Sequence, residues 1–384
     1  MTAARTPPDI FWLIPSSGDT RQFGRPETDR APTPAYLASV AMAVDRMGYT
    51  GALLPTGPHC ADPWITAAAL ALHTERMKLL VATRPGLVAP AESVRQAAAL
   101  DRLSRGRALL NVVTGGSTKA LSADGLFLDH DQRYVQTAEF MEIWRRLSDG
   151  ETVSFEGQYL KIEKGRLLFP FVQRPPIYFG GSSEIARDIA ARHADVYLSW
   201  GEPAAQLADV FSDVRTRAAA LGRTVRFGVR LHIVVREREE DAWKAAEDLI
   251  RHVPDAEIAA FQERLARSEA VGQARLNALH GGRRDSLVVG PNLWAGIGLV
   301  RTGAGTALVG TPDQVAARLQ EYADIGVDTL IASGYPHLEE AYRVAELLFP
   351  KLGIDNAADD GLPRSNVTAS FIMPQSAGKT ARAS

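Results

Sequence analysis

A chain of 384 residues, 46% apolar and 23% charged with a formal net charge of −2, has the make-up of a folded globular protein. Its length suits two ordinary domains or one large α/β barrel, and its Lys and Arg are interspersed with Asp and Glu, as in REREEDAWKAAEDLIR (236–251), so no nucleic-acid face is expected. One cysteine, Cys60, cannot form an internal disulfide, no apolar run is long enough to span a membrane, and MTAARTPPDI lacks the apolar core of a signal peptide, so a cytoplasmic location is expected.

In chain order, short apolar or β-branched runs recur, each closed by Gly, Pro or polar residues. They are DIFWLIP (9–15), YTGALLP (49–55), MKLLVATRPG (77–86), ALLNVVTGG (108–116), PPIYFGG (175–181), ADVYLSWG (194–201), VRFGVRLHIVVRE (225–237) and VDTLIASGY (327–335). Most are apolar throughout, the pattern of parallel strands buried on both faces. Helical patterns lie between them. PAYLASVAMAVDRMG (34–48) sets Leu37, Val40, Ala41 and Val44 on one face and stops at Gly48. AESVRQAAALDRLSRG (91–106) ends at Gly106, and TPDQVAARLQEYADIG (311–326) opens with the cap pair Thr311-Pro312 and closes at Gly326.

Eight strands alternating with helices predict an α/β fold, a single (β/α)8 TIM barrel over residues 1–354; an open doubly wound sheet is the rival. The span 238–326 exceeds what one crossover helix needs, so an insertion is expected at about 252–310. Its Gly-rich part, 282–310, carries Arg301 and suits a mobile loop over a site. The tail 355–384 is polar but contains SFIMP (370–374), and reads either as a free tail or as an active-site cover.

In such a barrel the chemistry sits at the C-terminal ends of the strands. Those ends carry Ser16 and Ser17, His59 and Cys60, Arg84, Asn111 and Thr114, GGSS (180–183), Trp200, Arg230 and His232, and Tyr335 and His337. Arg230 and His232 alternate along one strand and share a face, and a basic pair inside a barrel calls for an anion. GGSS before a helical pattern is either a plain helix cap or a phosphate cradle. A lone cysteine is more often a small buried hydrophobe than a reactive thiol. Nucleotide-fold glycine fingerprints, metal-ligand clusters and a Ser-nucleophile elbow do not occur in the sequence.

These residues, with the stretches GYTGALLPTG, QAAALDRLSRGRALLNVVTGG, FLDHDQRY, IYFGGSS, NLWAGIGLVRTGAGTALVG and SGYPHLEEAYR, resemble the flavin-dependent alkanesulfonate monooxygenases of the bacterial luciferase-like superfamily. The resemblance runs from about residue 9 to residue 350. It implies the same barrel, in homodimers or homotetramers. It implies reduced FMN (FMNH2) delivered by a separate NAD(P)H-dependent FMN reductase, reaction with O2, and cleavage of an organosulfonate's C–S bond to an aldehyde and sulfite. Carried residue by residue, it places Arg230, His232, Arg301, Tyr335 and His337 at the sulfonate, with Trp200 on the wall. Ser182 and Ser183, helped by Tyr134, would hold the flavin phosphate. Asn111 and Thr114 would line the ring, with Cys60 beside it as a flavin-pocket residue. Arg and protonated His suit a sulfonate, and Arg230, His232 and Tyr335 are the candidates for the proton transfers.

The sequence departs from the family in three loops. SSGDT (16–20) puts Ser17 where many members have His, Pro58 and His59 precede the cysteine, and TRQFGRPETD (20–29) is unusual. Altered substrate range is the expected consequence, with the sulfosugar sulfoquinovose as the alternative substrate, because Ser17 and His59 add hydrogen-bonding groups. A non-catalytic flavin-binding barrel is the reading from another functional class.

Overall fold

The computed structural model describes residues 7–266 and 270–354. Its centre is a closed parallel barrel of eight strands: β1 (Asp9–Leu13), β2 (Gly51–Leu54), β3 (Lys78–Thr83), β4 (Ala108–Val112), β5 (Ile177–Gly180), β6 (Val196–Trp200), β7 (Arg226–Val235) and β8 (Val327–Ser333). Each strand pairs in parallel with the next, and β8 returns to β1 through Asp9↔Thr329 to Trp12↔Ala332. The (β/α)8 expectation therefore holds, and the open sheet does not.

Both faces of the strands are apolar for a physical reason. Phe11, Leu13, Leu53, Leu80, Leu109, Tyr178, Val196 and Ile331 fill the barrel interior. The alternate residues, such as Trp12, Leu54, Val81, Leu110 and Phe179, pack outward against the helices. On β7 the outward set is Phe227, Val229, Leu231 and Ile233, so Arg230 and His232 are turned inward.

The helices follow the sequence signals. They are α1 (Pro34–Arg46), α2 (Pro63–Ala71), α3 (Pro90–Leu103), α4 (Thr118–Ala123), α5 (His130–Ser148), α6 (Glu184–His193), α7 (Ala204–Ala220), α8 (Glu239–Ile250), α9 (Asp255–Ala266), α10 (Val271–His280), α11 (Pro312–Asp324) and α12 (His337–Leu347). Thr311 caps α11 in a reciprocal box with Gln314, and Gly326 then takes φ +100°, a conformation that favours glycine. A small antiparallel hairpin, Val153–Glu156 with Lys161–Gly165, lies between α5 and β5 and was not foreseen.

Between β7 and β8 the chain adds α8, α9, α10 and an antiparallel arm, Val288–Gly290, Leu293–Trp294 and Ala307–Gly310. The arm joins the barrel sheet. Strand β6 pairs with β7 as far as Trp200↔Arg230, and residues 307–310 take over from Ala307↔His232 to Gly310↔Val235. The expected mobile loop at 282–310 is thus corrected for much of its length. Trp294, Ile297, Leu299, Ala304 and Thr306 are buried, and Gly298 donates its N–H to Gly305 O at 3.0 Å. The glycines serve close backbone approach: a Cβ on Gly305 would lie 2.7 Å from Gly298 Cα. The proposed cover at 355–384 lies outside the described residues.

Candidate functional site

A cavity of about 240 Å³ opens at the C-terminal end of the barrel. Asn111 and Thr114 from the end of β4, Tyr134 from α5, Gly180 to Ser183 after β5, Trp200 from β6 and Arg230 from β7 line it, and Ala270 to Gly272 close over it. One end is a cradle. Gly180 and Gly181 have no room for a side chain: a Cβ on Gly181 would stand 2.7 Å from Ala186 Cβ and 2.8 Å from the Tyr134 hydroxyl. Ser183 is the N-cap of α6 but makes no capping bond, and its buried Oγ has no well-formed hydrogen bond. Burial pushes the Tyr134 phenol up, and Ser183 works against that. Backbone N–H groups of a helix start, a hydroxyl not spent on capping and a neutral phenol together suit a phosphate.

The roof is held by charge. Glu202, buried just after β6, accepts from Arg275 Nε at 2.8 Å and from its NH2 at 2.5 Å. Arg275 lies on α10, whose Gly272 packs so closely that a Cβ would be 3.1 Å from Ser182 Oγ and 3.4 Å from the Trp200 ring.

Arg230 lines the other end, and Arg301, outside that lining, lies near enough for the two charges to act on each other. Arg230 and Arg301 form no ion pair or side-chain hydrogen bond among the described residues, and Arg230 Nε is buried without a partner. Burial lowers Arg230 to about 10, while the field of Cys60 acts the other way. Burial and then Arg230 lower Arg301 to about 10, against Cys60 and Asp19. Both remain cations at neutral pH. Arg301 lies 5.5 Å over the Tyr335 ring, which stacks on His232 at 5.5 Å and meets His337 edge-on at 4.8 Å.

His232 departs from the sequence reading. Its Nε2 is 3.0 Å from Ala304 O and its Nδ1 is 2.9 Å from Ser333 Oγ. Burial, then Arg301 and Arg230, hold its pKa well below the usual imidazole range. The expected protonated donor is corrected to a neutral ring with both nitrogens engaged. His337 is held differently: Asp19 Oδ1 lies 2.8 Å from its Nδ1, and Asp19 Oδ2 accepts its backbone N–H at 2.7 Å. Asp19 also accepts from Thr20 N at 2.8 Å and from the Tyr36 hydroxyl. Burial opposes the ionised carboxyl, yet His337 and Tyr36 outweigh it and lower its pKa.

The conserved pattern of the luciferase-like monooxygenase family matches residues 13–329. The chain belongs to that family. Among solved structures it resembles riboflavin lyase RcaE, with TM-score 0.75 and 20% identity over 92% of this chain and 94% of that one. It also resembles DmoA from Hyphomicrobium sulfonivorans, with TM-score 0.75 and 19% identity over 96% and 92%. EDTA monooxygenase EmoA from Chelativorans sp. BNC1 gives TM-score 0.73 and 18% identity over 94% and 99%. At such identities the likeness is one of fold.

Within this luciferase-like barrel, Asn111, Thr114, Tyr134, Ser182, Ser183, Trp200 and Arg230 share the cavity. His232, Arg301, Tyr335 and His337 form the ring and cation cluster beside Arg230. Cys60 is half-buried, within the field of both arginines, and lines a separate pocket of about 360 Å³ with Thr56, Asp62, Arg84 and Asp124. Ser17 and His59 are exposed on the loops after β1 and β2 and do not line the cavity. Sequence reasoning missed Asp19, Ser333, Glu202 and Arg275. The Asp in SSGDT was the one available signal; nothing local marks the other three, whose partners are 73 or more residues away.

Proposed function

We propose that this protein is a two-component oxygenase that uses reduced FMN and O2 to cleave the C–S bond of an organosulfonate, releasing an aldehyde and sulfite. One observation carries the reading: Arg230 and Arg301 are two enclosed cations that, among the described residues, have no carboxylate in ion-pair contact. Buried charge is ordinarily paired. A sulfonate, a permanent anion with three acceptor oxygens, supplies the missing partner, and a guanidinium fork matches it better than an ammonium would.

The residues at the far end fit FMN. Ser183 Oγ is not spent on capping α6, the Gly180-Gly181 turn permits close approach, and Asn111, Thr114 and Trp200 border the space beyond. The riboflavin lyase structure holds a modified FMN on the same fold, which supports the assignment. Reduced FMN, when bound, supplies the electrons that activate O2. It would come from an NAD(P)H-dependent FMN reductase.

The chain's own contribution is placement and exclusion of water. Ser182, Ser183 and the start of α6 hold the phosphate, and Tyr134 adds a neutral donor. Arg230 and Arg301 fix the sulfonate and stabilise the charge that builds on departing sulfite. The α10 roof, tied through Arg275 to Glu202, keeps solvent off the cavity. Cys60 offers a polarisable thiol within the field of both arginines. A bare flavin carrier needs no second anion site, which disfavours the non-catalytic alternative.

A sulfosugar such as sulfoquinovose is the second reading. It is favoured by the polar pocket beside Cys60, where Thr56, Asp62, Arg84 and Asp124 offer donors and acceptors to a hydroxylated tail. The test supplies a flavin reductase, NADH, FMN and a panel of alkanesulfonates and sulfosugars, and assays sulfite. Oxygen consumption without sulfite from any sulfonate would overturn the function. The ranking within the panel separates the two substrate readings.

A further inference from the structure

We propose that His232 acts as a neutral latch, tied to Ala304 and Ser333, that positions Arg301 for the anion, making His232 and Ser333 positioning residues rather than ligands of the substrate. The inference rests on the reading above that Arg301 faces an anion.

The geometry fixes the tautomer. Ala304 O can only accept, so the contact at 3.0 Å makes Nε2 the protonated nitrogen. A neutral ring then carries its lone pair on Nδ1, and Ser333 Oγ at 2.9 Å must donate to it. His232 and Ser333 are cross-strand neighbours on β7 and β8, both 1% exposed, so no water competes for either contact.

The latch holds the segment that carries Arg301. Three residues after Arg301, Ala304 is bonded to His232, and the His232 backbone N–H donates to Thr306 O at 2.9 Å. Gly303 N–H donates to Gln273 Oε1 at 2.9 Å on α10, and Gly305 O accepts from Gly298. The His232 ring also forms the floor under Tyr335, over which Arg301 lies. Backbone and ring thus reach Arg301 by two routes from one imidazole. Removing the Ser333 hydroxyl leaves Nδ1 without a donor. Nδ1 is then buried without a partner, the Nε2–H bond to Ala304 O is the one side-chain tether left to the ring, and the ring and the segment behind Arg301 are held less firmly.

The experiment uses the full-length, flavin-free protein with inorganic sulfate as the probe. Nitrogen-15 NMR of the histidine side chains near neutral pH should show His232 neutral, with Nε2 protonated and Nδ1 bare. Ser333→Ala should leave Nε2 protonated, because Ala304 O still accepts from it, and should move the resonance of the bare Nδ1 by removing its hydrogen bond. It should also weaken sulfate binding, read by calorimetry, by roughly five- to tenfold, the loss of one ordinary hydrogen bond. In the Arg301→Ala background the same Ser333→Ala change should add no further loss. In turnover with an organosulfonate, the single variant should raise KM by the same factor.

A wild-type His232 that is doubly protonated, or protonated on Nδ1, overturns the latch, and this holds even if Ser333→Ala does not fold. An undiminished effect of Ser333→Ala without Arg301 overturns the link to Arg301. Failure of the wild type to bind sulfate counts against the anion reading, and the tautomer then decides the latch alone. Sulfate coupling that follows the expectation while no sulfonate yields sulfite rejects the reaction and keeps the latch.

Discussion

Replacing Arg230 with methionine should make the ligand-free protein more stable and useless for binding an anion. The side chain lies inside the barrel end with no carboxylate partner among the described residues, and burial lowers its pKa from the ordinary guanidinium value to about 10. At about 1.4 kcal/mol per pH unit, that fall corresponds to roughly 3 kcal/mol of penalty for holding the charge there. Water in the adjoining cavity screens part of it, so a gain of about 1–2 kcal/mol is expected from a long apolar side chain of similar reach. Urea unfolding of the ligand-free proteins measures this directly. Repeating the titration with a sulfonate at a hundred times its wild-type Kd should stabilise the wild type by about 2.7 kcal/mol and the variant hardly at all. The reasoning is refuted if Arg230→Met is less stable than the wild type without ligand. It is equally refuted if the sulfonate stabilises both proteins alike.

Glu202→Gln should cost about 2–4 kcal/mol, because it strips the carboxylate from Arg275, and limited proteolysis should then cut within α10 faster than in the wild type. Gly181→Ala should leave the fold intact and weaken FMN binding, read by flavin fluorescence, since the new Cβ would press on Tyr134 OH and Ala186. Burial first, and then Arg223, Arg145 and Arg192, lower His193 from 6.5 to about 4. The unfolded chain therefore takes this proton first as pH falls, so the contribution is complete above pH 6.5 and is lost between 6.5 and about 4. His193→Gln should flatten the acid-side decline in stability by about 2 kcal/mol over that window, and an unchanged slope in urea titrations would discount the burial argument.

The barrel was legible because its signals are local. Apolar runs of strand length and cap residues such as Thr311 with Gln314 depend on neighbours a few positions away. The inward face of Arg230 and His232 followed from strand alternation alone. The state of His232 did not, because it is set by Ala304 and Ser333, which lie 72 and 101 residues further along. A histidine among strand-end arginines looks like a third cation in sequence; in space the same arginines help keep it neutral. The glycines of 282–310 misled for a similar reason. Glycine permits both a hinge and a close backbone crossing, and only the placement of Gly298 against Gly305 separates the two.

Partner accounting sorts the charged groups of this barrel into those that serve the fold and those that await a ligand. Arg275 has Glu202, Arg84 has Asp124, Arg236 has Glu340, and Arg107 is saturated by carbonyls and Thr74. Each is half-buried or buried, and each is satisfied from within the chain. Arg230 and Arg301 share their enclosure but have no ion-pair partner among the described residues. The fold could have relieved that cost with one nearby carboxylate, as it did at His337, where Asp19 is held by four donors. Asp19 acts on Arg301 through its field, and Cys60 is the other group acting in the same sense. A site that leaves two enclosed cations facing a thiol and a neutral imidazole is stabilised by the anion that enters it, and the energy withheld from folding appears as affinity for that anion.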